Sequence, residues 1–307
     1  MSASSEWLSL LQGFDWKNQT VQRSFKQKLV EKRDHVPSYL QGAFWKRILL
    51  TNAPYLLSIE EYNALLSAED FKFESEIQRD VNRTFPELKF FKEKHSYGQV
   101  ELYNVLKAFT ILNPEVGYCQ GMGFIAGILL SHMNEIDTFN CFTVLMSEKS
   151  EYRMGGLYKP GLPLLSKFLT QFQAMIETEL PDLWYHFQNQ GIEVSMFGSQ
   201  WILSLFIYNL HYKKSVFLFN LFLLFNYRVI LLFGVFVLEE MESTLLGMNF
   251  EEILCRINNI DDLVNDMDDF VQWLEEEDGW EIGLDRSSSN ESTTTQGPRK
   301  LKSSLPV

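Results

Sequence analysis

Cysteine is scarce in this chain. Its three residues in 307, Cys119, Cys141 and Cys255, are odd in number and far apart. That leaves no CxxC pair for zinc and no even set for a disulfide framework, and it fits a reducing compartment. Histidine is nearly as sparse. His35, His95, His132, His186 and His211 show no metal-ligand spacing and no nucleophile signature beside them, so each reads as a core or surface histidine. Cys119 has no histidine tied to it by a motif, which leaves a catalytic thiol without support. The opening MSASSEWLSLLQGFDWK lacks a basic segment and carries Glu6 where a secretory leader stays apolar, so the expected setting is cytoplasmic. Strand signals are missing: no alternating runs are separated by turn pairs, and no repeat of fixed period is visible. Positive charge is short too, with 27 Lys and Arg against 40 Asp and Glu. A phosphate backbone needs a basic stripe, and a pI of 4.9 argues against nucleic acid as the main ligand.

What the chain has in quantity is apolar and aromatic. Hydrophobic residues make up 46% and aromatics 14%, with 25 phenylalanines, enough for a substantial core in one large domain or two lobes. The spacing is helical almost throughout. Val100, Tyr103, Leu106 and Phe109 share a face, as do Phe124, Ile128, Leu129 and His132, then Leu164, Leu165, Phe168 and Phe172, then Ile202, Leu205 and Phe206. Pro86, Pro114, Pro160, Pro163 and Pro181 punctuate these segments. The predicted fold class is all-α. At the N-terminus, Trp7, Leu11 and Phe14 fall on one helical face, which suits docking on the main domain.

Charge is distributed unevenly. Residues 239–285 hold 16 acidic side chains and one basic, Arg256, so the remainder of this −13 chain sums to about +2. The stretch DDLVNDMDDF lacks the alternating aspartates and central glycine of a calcium loop, so the block reads as a solvated helix face. From residue 286 the chain is polar and of low complexity, the signature of a disordered tail.

Residues 216–238, VFLFNLFLLFNYRVILLFGVFVL, form 23 nearly unbroken apolar positions, long enough to span a bilayer. Arg228 near the middle would cost about 2.5 to 3.5 kcal/mol there. A helical protein of this size needs central helices buried on all sides. Burial in the core is the expectation, with a membrane span as the alternative.

Two polar stretches carry the chemistry. In EIQRDVNRTFPE, residues 76–87, Ile77 and Val81 are one turn apart and can anchor a face, while Asp80 and Arg83 lie at i, i+3 and can pair. Pro86 ends the helix nearby and leaves Arg83 in its last turn. An arginine there suits the helix dipole, and it is equally placed to reach another molecule's phosphate. In NPEVGYCQGMGF, residues 113–124, Gln120 stands at the entrance of a helix, where its amide could orient a water. Gly117, Gly121 and Gly123 permit close approach of another backbone and also suit a tight packing turn. GMGFIA imitates a dinucleotide fingerprint, but no strand precedes it.

Taken together, these stretches resemble the TBC-domain family of Rab GTPase-activating proteins. Ile77, Asp80 and Arg83 meet the family's I-x-x-D-x-x-R motif, and Tyr118 and Gln120 meet its Y-x-Q motif. HVPSYLQGAFWKRIL, with Pro37, Leu40, Gly42 and Trp45, is similar to its opening G-I-P-x-x-L-R-G-x-x-W segment. FGSQWILSLF, from Phe197, is similar to its later F-A-x-Q-W-F-L-x-L-F segment. The resemblance implies two helical lobes over residues 36–258. Residues 1–35 would be a helical extension, 259–285 an acidic helical segment and 286–307 the disordered tail. It also implies a Rab GTPase as partner, with Arg83 and Gln120 supplied to its active site. Asp80 would orient Arg83, and Tyr118 would support the glutamine loop, with Gly121 and Ile77 in supporting positions. GTP and magnesium would belong to the partner, so no cofactor and no metal is expected here. Localisation would be cytoplasmic, with peripheral association at endomembranes.

Two motifs of the family pattern are altered. Gln41 stands where the R-x-x-x-W motif has arginine, which would remove a structural ion pair. Phe219 and Asn220 occupy the place of the family's Trp-Asp pair, inside the apolar run. A second lobe remodelled or partly membrane-associated is therefore an expectation, and a non-catalytic Rab-binding scaffold is the alternative function. An unrelated helical membrane protein is the third.

Overall fold

Local chemistry sets the helix ends. Ser58 and Asn249 each form a reciprocal capping box, with Glu61 and Glu252, for helices Ile59–Leu66 and Phe250–Asn258. Pro163 and Pro181 open helices Pro163–Glu179 and Pro181–Gln190 at the first turn, where a missing N–H costs nothing. The computed structural model describes residues 3–12, 18–33, 35–51, 53–69, 71–264 and 266–276, and these are helical throughout their ordered elements. The expected polar tail at 286–307 lies outside the described residues, as do Phe14 and the end of the acidic segment.

The helices form two lobes. In the first, helix Tyr97–Leu112 packs against Glu74–Arg83, Met122–Leu130 and Glu135–Met146, with Gln41–Leu50 on the far side of the last. Met122–Leu130 is buried at every position, which its unbroken apolar sequence allows and a one-sided surface helix would not. In the second, Pro163–Glu179, Ser195–Ser204 and Tyr227–Leu245 pack mutually. Helix Ser195–Ser204 stops before the apolar stripe that spacing suggested. Leu205 and Phe206 adopt left-handed backbone, φ 50° and 61°, and are held there by burial, Phe206 against Trp201 and Phe233. At the N-terminus, Trp7 is fully buried against Phe25 and Phe44, as its spacing predicts.

The 23-residue apolar run is not one helix. It is divided between Tyr212–Phe225 and Tyr227–Leu245, which pack on each other across Asn226. Asn226 turns the chain at φ 58°, ψ −157°, and its side chain caps the Tyr227 N–H and donates to the Glu151 carbonyl. Arg228 thereby falls in the first turn of the second helix, where it is exposed between the buried Tyr227 and Val229. No helix among the described residues is long and apolar enough to cross a membrane.

The two departures from the family pattern meet in space. Asn220, 2% exposed, accepts from Trp45 Nε1 at 2.7 Å and hydrogen-bonds with the amide of Gln41, itself 1% exposed. A neutral amide pair therefore stands where the resemblance implied an ion pair, and the second lobe is built around it rather than disrupted. Eight residues earlier on the same helix, the Tyr212 hydroxyl bonds to His132 Nε2 at 2.8 Å and Ser131 Oγ at 2.7 Å. Helix Tyr212–Phe225 is thus tied to the first lobe at two levels.

Burial pushes the His132 pKa down to about 4, a bond to the Ser38 backbone acting the other way. Unfolded, the ring titrates near 6.5, so between those values the unfolded chain binds the extra proton. This contribution is intact above pH 6.5 and is lost as pH falls toward 4, by up to about 3 kcal/mol. Urea unfolding at stepped pH is expected to show that loss, and His132→Gln to flatten it. An equal slope in both proteins would contradict this assignment.

Candidate functional site

Helix Glu74–Arg83 ends where Pro86 requires, and Arg83 is its last residue. Ile77 is fully buried and Val81 4% exposed, which fixes the helix on the core and turns the neighbouring face outward. The chain then breaks sharply. Thr84 is extended, and Phe85 has φ 46° and is buried against Phe91, Phe124 and Tyr212. A phenylalanine in left-handed backbone is strained, and that ring packing is what holds it. Arg83 therefore sits on a rigid corner.

Asp80, Arg83 and Tyr118 form one hydrogen-bonded set. Arg83 Nε donates to Asp80 Oδ1 at 3.0 Å and Nη2 reaches the same oxygen at 2.8 Å. The Tyr118 hydroxyl donates to the other oxygen, Oδ2, at 2.6 Å. Asp80 is 7% exposed, so its carboxylate is held from both sides, while the Arg83 side chain remains 37% exposed. The guanidinium lies 6.0 Å over the Phe124 ring. Burial first, and the bond to Asp80 second, push the Tyr118 phenol far above its ordinary range, so it acts as a donor. Burial likewise raises the Cys119 thiol, with the Asp80 charge adding to it, the opposite of what a nucleophilic thiolate needs.

Gln120 is exposed, two residues beyond Tyr118, and is not part of that set. Its position is fixed by Gly121, which caps helix Met122–Leu130 at φ 107°. A Cβ at Gly121 would lie 3.1 Å from the Leu203 carbonyl, so the turn is pressed against the second lobe and tolerates only glycine. On the other side, a Cβ at Gly127 would stand 2.7 Å from the Thr84 methyl. The helix that follows Gln120 and the one that carries Arg83 thus touch through a bare backbone. Thr84 also donates to the Asp80 backbone carbonyl at 2.8 Å, which ties the corner back to the last turn of the helix.

Arg83 opens onto a groove of about 880 Å³. Phe85, Pro86 and Phe124 line it beside Arg83, and the opposite wall comes from residues 207–210 and 258–262. That second wall was not foreseen. Residues 259–264 are a turn between helices Phe250–Asn258 and Met267–Glu276, where the acidic block had read as a solvated helix face. Phe124 and Thr84 were also missed as site residues, although both lie within or beside the two motif stretches. Among the described residues, no three His, Cys, Asp or Glu side chains gather to hold a metal.

The family model described as Rab-GTPase-TBC domain matches residues 38–246. The human Ecotropic viral integration site 5 protein homolog is 35% identical over 234 residues, 76% of this chain and 28% of that protein. The Caenorhabditis elegans protein Rab GTPase-activating protein eat-17 is 33% identical over 250 residues, 81% of this chain and 27% of its own length. The Saccharomyces cerevisiae GTPase-activating protein GYP5 is 32% identical over 220 residues, 71% of this chain and 23% of its own. The chain thus spans between 23% and 28% of these curated relatives. The fold is similar to the TBC domain of a Chlamydomonas flagellar RabGAP, with TM-score 0.69 and 20% identity over 88% of this chain and 90% of that one. It is also similar to the Ypt/Rab-GAP domain of Gyp1p, with TM-score 0.67 and 18% identity over 88% and 98%.

Proposed function

The chain belongs to the Rab-GTPase-TBC domain family, and from that footing we propose that it is a GTPase-activating protein for a Rab-family GTPase. The observation that carries the reading is the Arg83–Asp80–Tyr118 set. It is a guanidinium at a rigid helix end, aligned by a buried carboxylate and opening onto a groove large enough for a partner's surface. Hydrolysis of GTP by a small GTPase is limited by charge developing on the transferred phosphoryl group and by placement of the attacking water. Arg83 would enter the nucleotide site and neutralise that charge. Asp80 and Tyr118 would hold it in line, so that little rotamer freedom is lost on engagement. Gln120, exposed at the head of its helix, would position the water. GTP and magnesium would arrive with the partner. The protein would act in the cytoplasm, peripheral to the endomembranes where such a partner sits.

The scaffold alternative drew on a disrupted second lobe. With Asn220 satisfied by Trp45 and Gln41, no observation favours it.

A panel of purified, GTP-loaded Rab proteins under single-turnover conditions tests the proposal. Acceleration of at least one member is expected, falling by about 10² with Gln120→Ala, the scale of losing one positioned hydrogen-bonding group. Binding to a member without acceleration of any would return the chain to the scaffold class.

A further inference from the structure

Helix Met122–Leu130 does more than carry Gln120 ahead of its first turn. Gly123 and Gly127, one turn apart, give it a bare face against the Arg83 corner. A Cβ at Gly123 would meet Thr84 Oγ1 at 3.3 Å and the Tyr118 hydroxyl at 3.5 Å. Between these glycines in sequence stands Phe124, 5% exposed. Phe85 and Tyr208 close on its ring at 6.3 and 5.3 Å, with interplanar angles of 88° and 75°, and so fix its orientation. The Arg83 guanidinium lies over this ring, and both side chains line the groove.

Asp80 by itself leaves the guanidinium one freedom. Tyr118 occupies Oδ2, so Arg83 Nε at 3.0 Å and Nη2 at 2.8 Å converge on the single oxygen Oδ1. Two contacts on one oxygen fix where the group sits and let it swing about that point. A fork set across both carboxylate oxygens would not. The side chain is 37% exposed, which gives the swing room. The Phe124 ring supplies a second point of contact, because its negative face attracts the cation and its packing prevents it from following. Phe124 also stands four residues after Gln120, so the ring sets the arginine in register with the glutamine.

We propose that Phe124 is a positioning residue for Arg83, its ring face stopping the swing that Asp80 permits and so aiming the guanidinium at the partner's nucleotide. The inference rests on the activator reading and adds to it how the arginine is aimed. A ring that only fills the core acts through its shape. A ring that aims a cation acts through its π density, and fluorination separates the two.

The test replaces Phe124 with monofluorinated and trifluorinated phenylalanine, which nearly keep the shape of the ring and withdraw its π density. Phe124→Leu is made beside them. For the most strongly accelerated GTPase of the panel, kcat and KM are measured separately, with a thermal melt of each protein. The fluorinated series should lower kcat in graded order, by about two- to fivefold for the trifluorinated ring, at unchanged KM and melting temperature. Phe124→Leu should lower kcat further, by roughly tenfold. Should the leucine variant melt early, the fluorinated proteins alone decide. Equal kcat across the fluorinated series, a rise in it, or a change confined to KM overturns the proposal, while acceleration by the wild type leaves the activator reading standing. No acceleration of any GTPase by the wild type removes both.

Discussion

Arg83→Ala is expected to lower the accelerated rate of GTP hydrolysis by roughly 10³ to 10⁵, with affinity for the GTP-loaded partner changed far less. The size follows from what the guanidinium is asked to do. On the proposed reading it would supply positive charge where charge develops, and so would act on the transition state rather than on binding. Its own contribution to folding is small, because a partly exposed ion pair is worth about 0 to 1 kcal/mol. Asp80 also keeps the Tyr118 bond when Arg83 is gone. Arg83→Lys should lose nearly as much, since a compact ammonium lacks the planar fork through which Nε and Nη2 both reach Asp80 and hold the side chain in line. Phosphate release in single-turnover stopped flow, beside a thermal melt, separates lost chemistry from lost fold. A variant that melts normally and keeps more than a tenth of the rate would sink the assignment.

The second large effect lies at the lobe junction. Asn220→Ala strands two buried donors, Trp45 Nε1 and the Gln41 amide, and opens a cavity, at an expected cost of about 3 to 5 kcal/mol. Gln41→Arg alone puts an unpaired guanidinium beside a neutral amide, and Asn220→Asp alone buries an unpaired carboxylate. Each should destabilise by about 3 to 5 kcal/mol. Made together, they rebuild the ion pair that the family resemblance implied, and the double variant should recover at least 2 kcal/mol relative to the summed singles. Urea unfolding of the four proteins measures the coupling. Simple additivity would mean that the two positions do not act as a pair.

Much of this was legible in the sequence because it is local. Helical spacing and the prolines locate the helices, and Pro86 alone explains why Arg83 closes one. Trp7 and Leu11 declare a docked face through their spacing. What was hidden is what depends on distant partners. Gln41 and Asn220 each look like a lost charge when read singly, and only the fold brings together residues 179 apart as a matched amide pair. Asn226 was masked by the hydropathy around it, since one polar residue in an apolar run gives no sign that the chain reverses there. The left-handed Leu205 and Phe206 have no local signature, because tertiary packing imposes their backbone. The groove wall at 258–262 was concealed by composition. An acidic stretch reads as solvated whether its carboxylates face water or, like that of Asp261, are tied to Lys214 and a backbone amide.

The packing of helix Met267–Glu276 has a consequence for how the protein is made. Phe270 packs edge-on against Phe233 and at a tilt against Phe236, and Trp273 donates to Glu239, so this helix covers part of the apolar hairpin formed around Asn226. Synthesis proceeds from the N-terminus, and Phe270 is added 34 residues after Phe236. At about 5 to 20 residues per second, the ribosome leaves this aromatic surface without its cover for roughly two to seven seconds. A chaperone that shields nascent chains has that interval in which to act, and a fragment cut at the end of the family-matched region would never leave it.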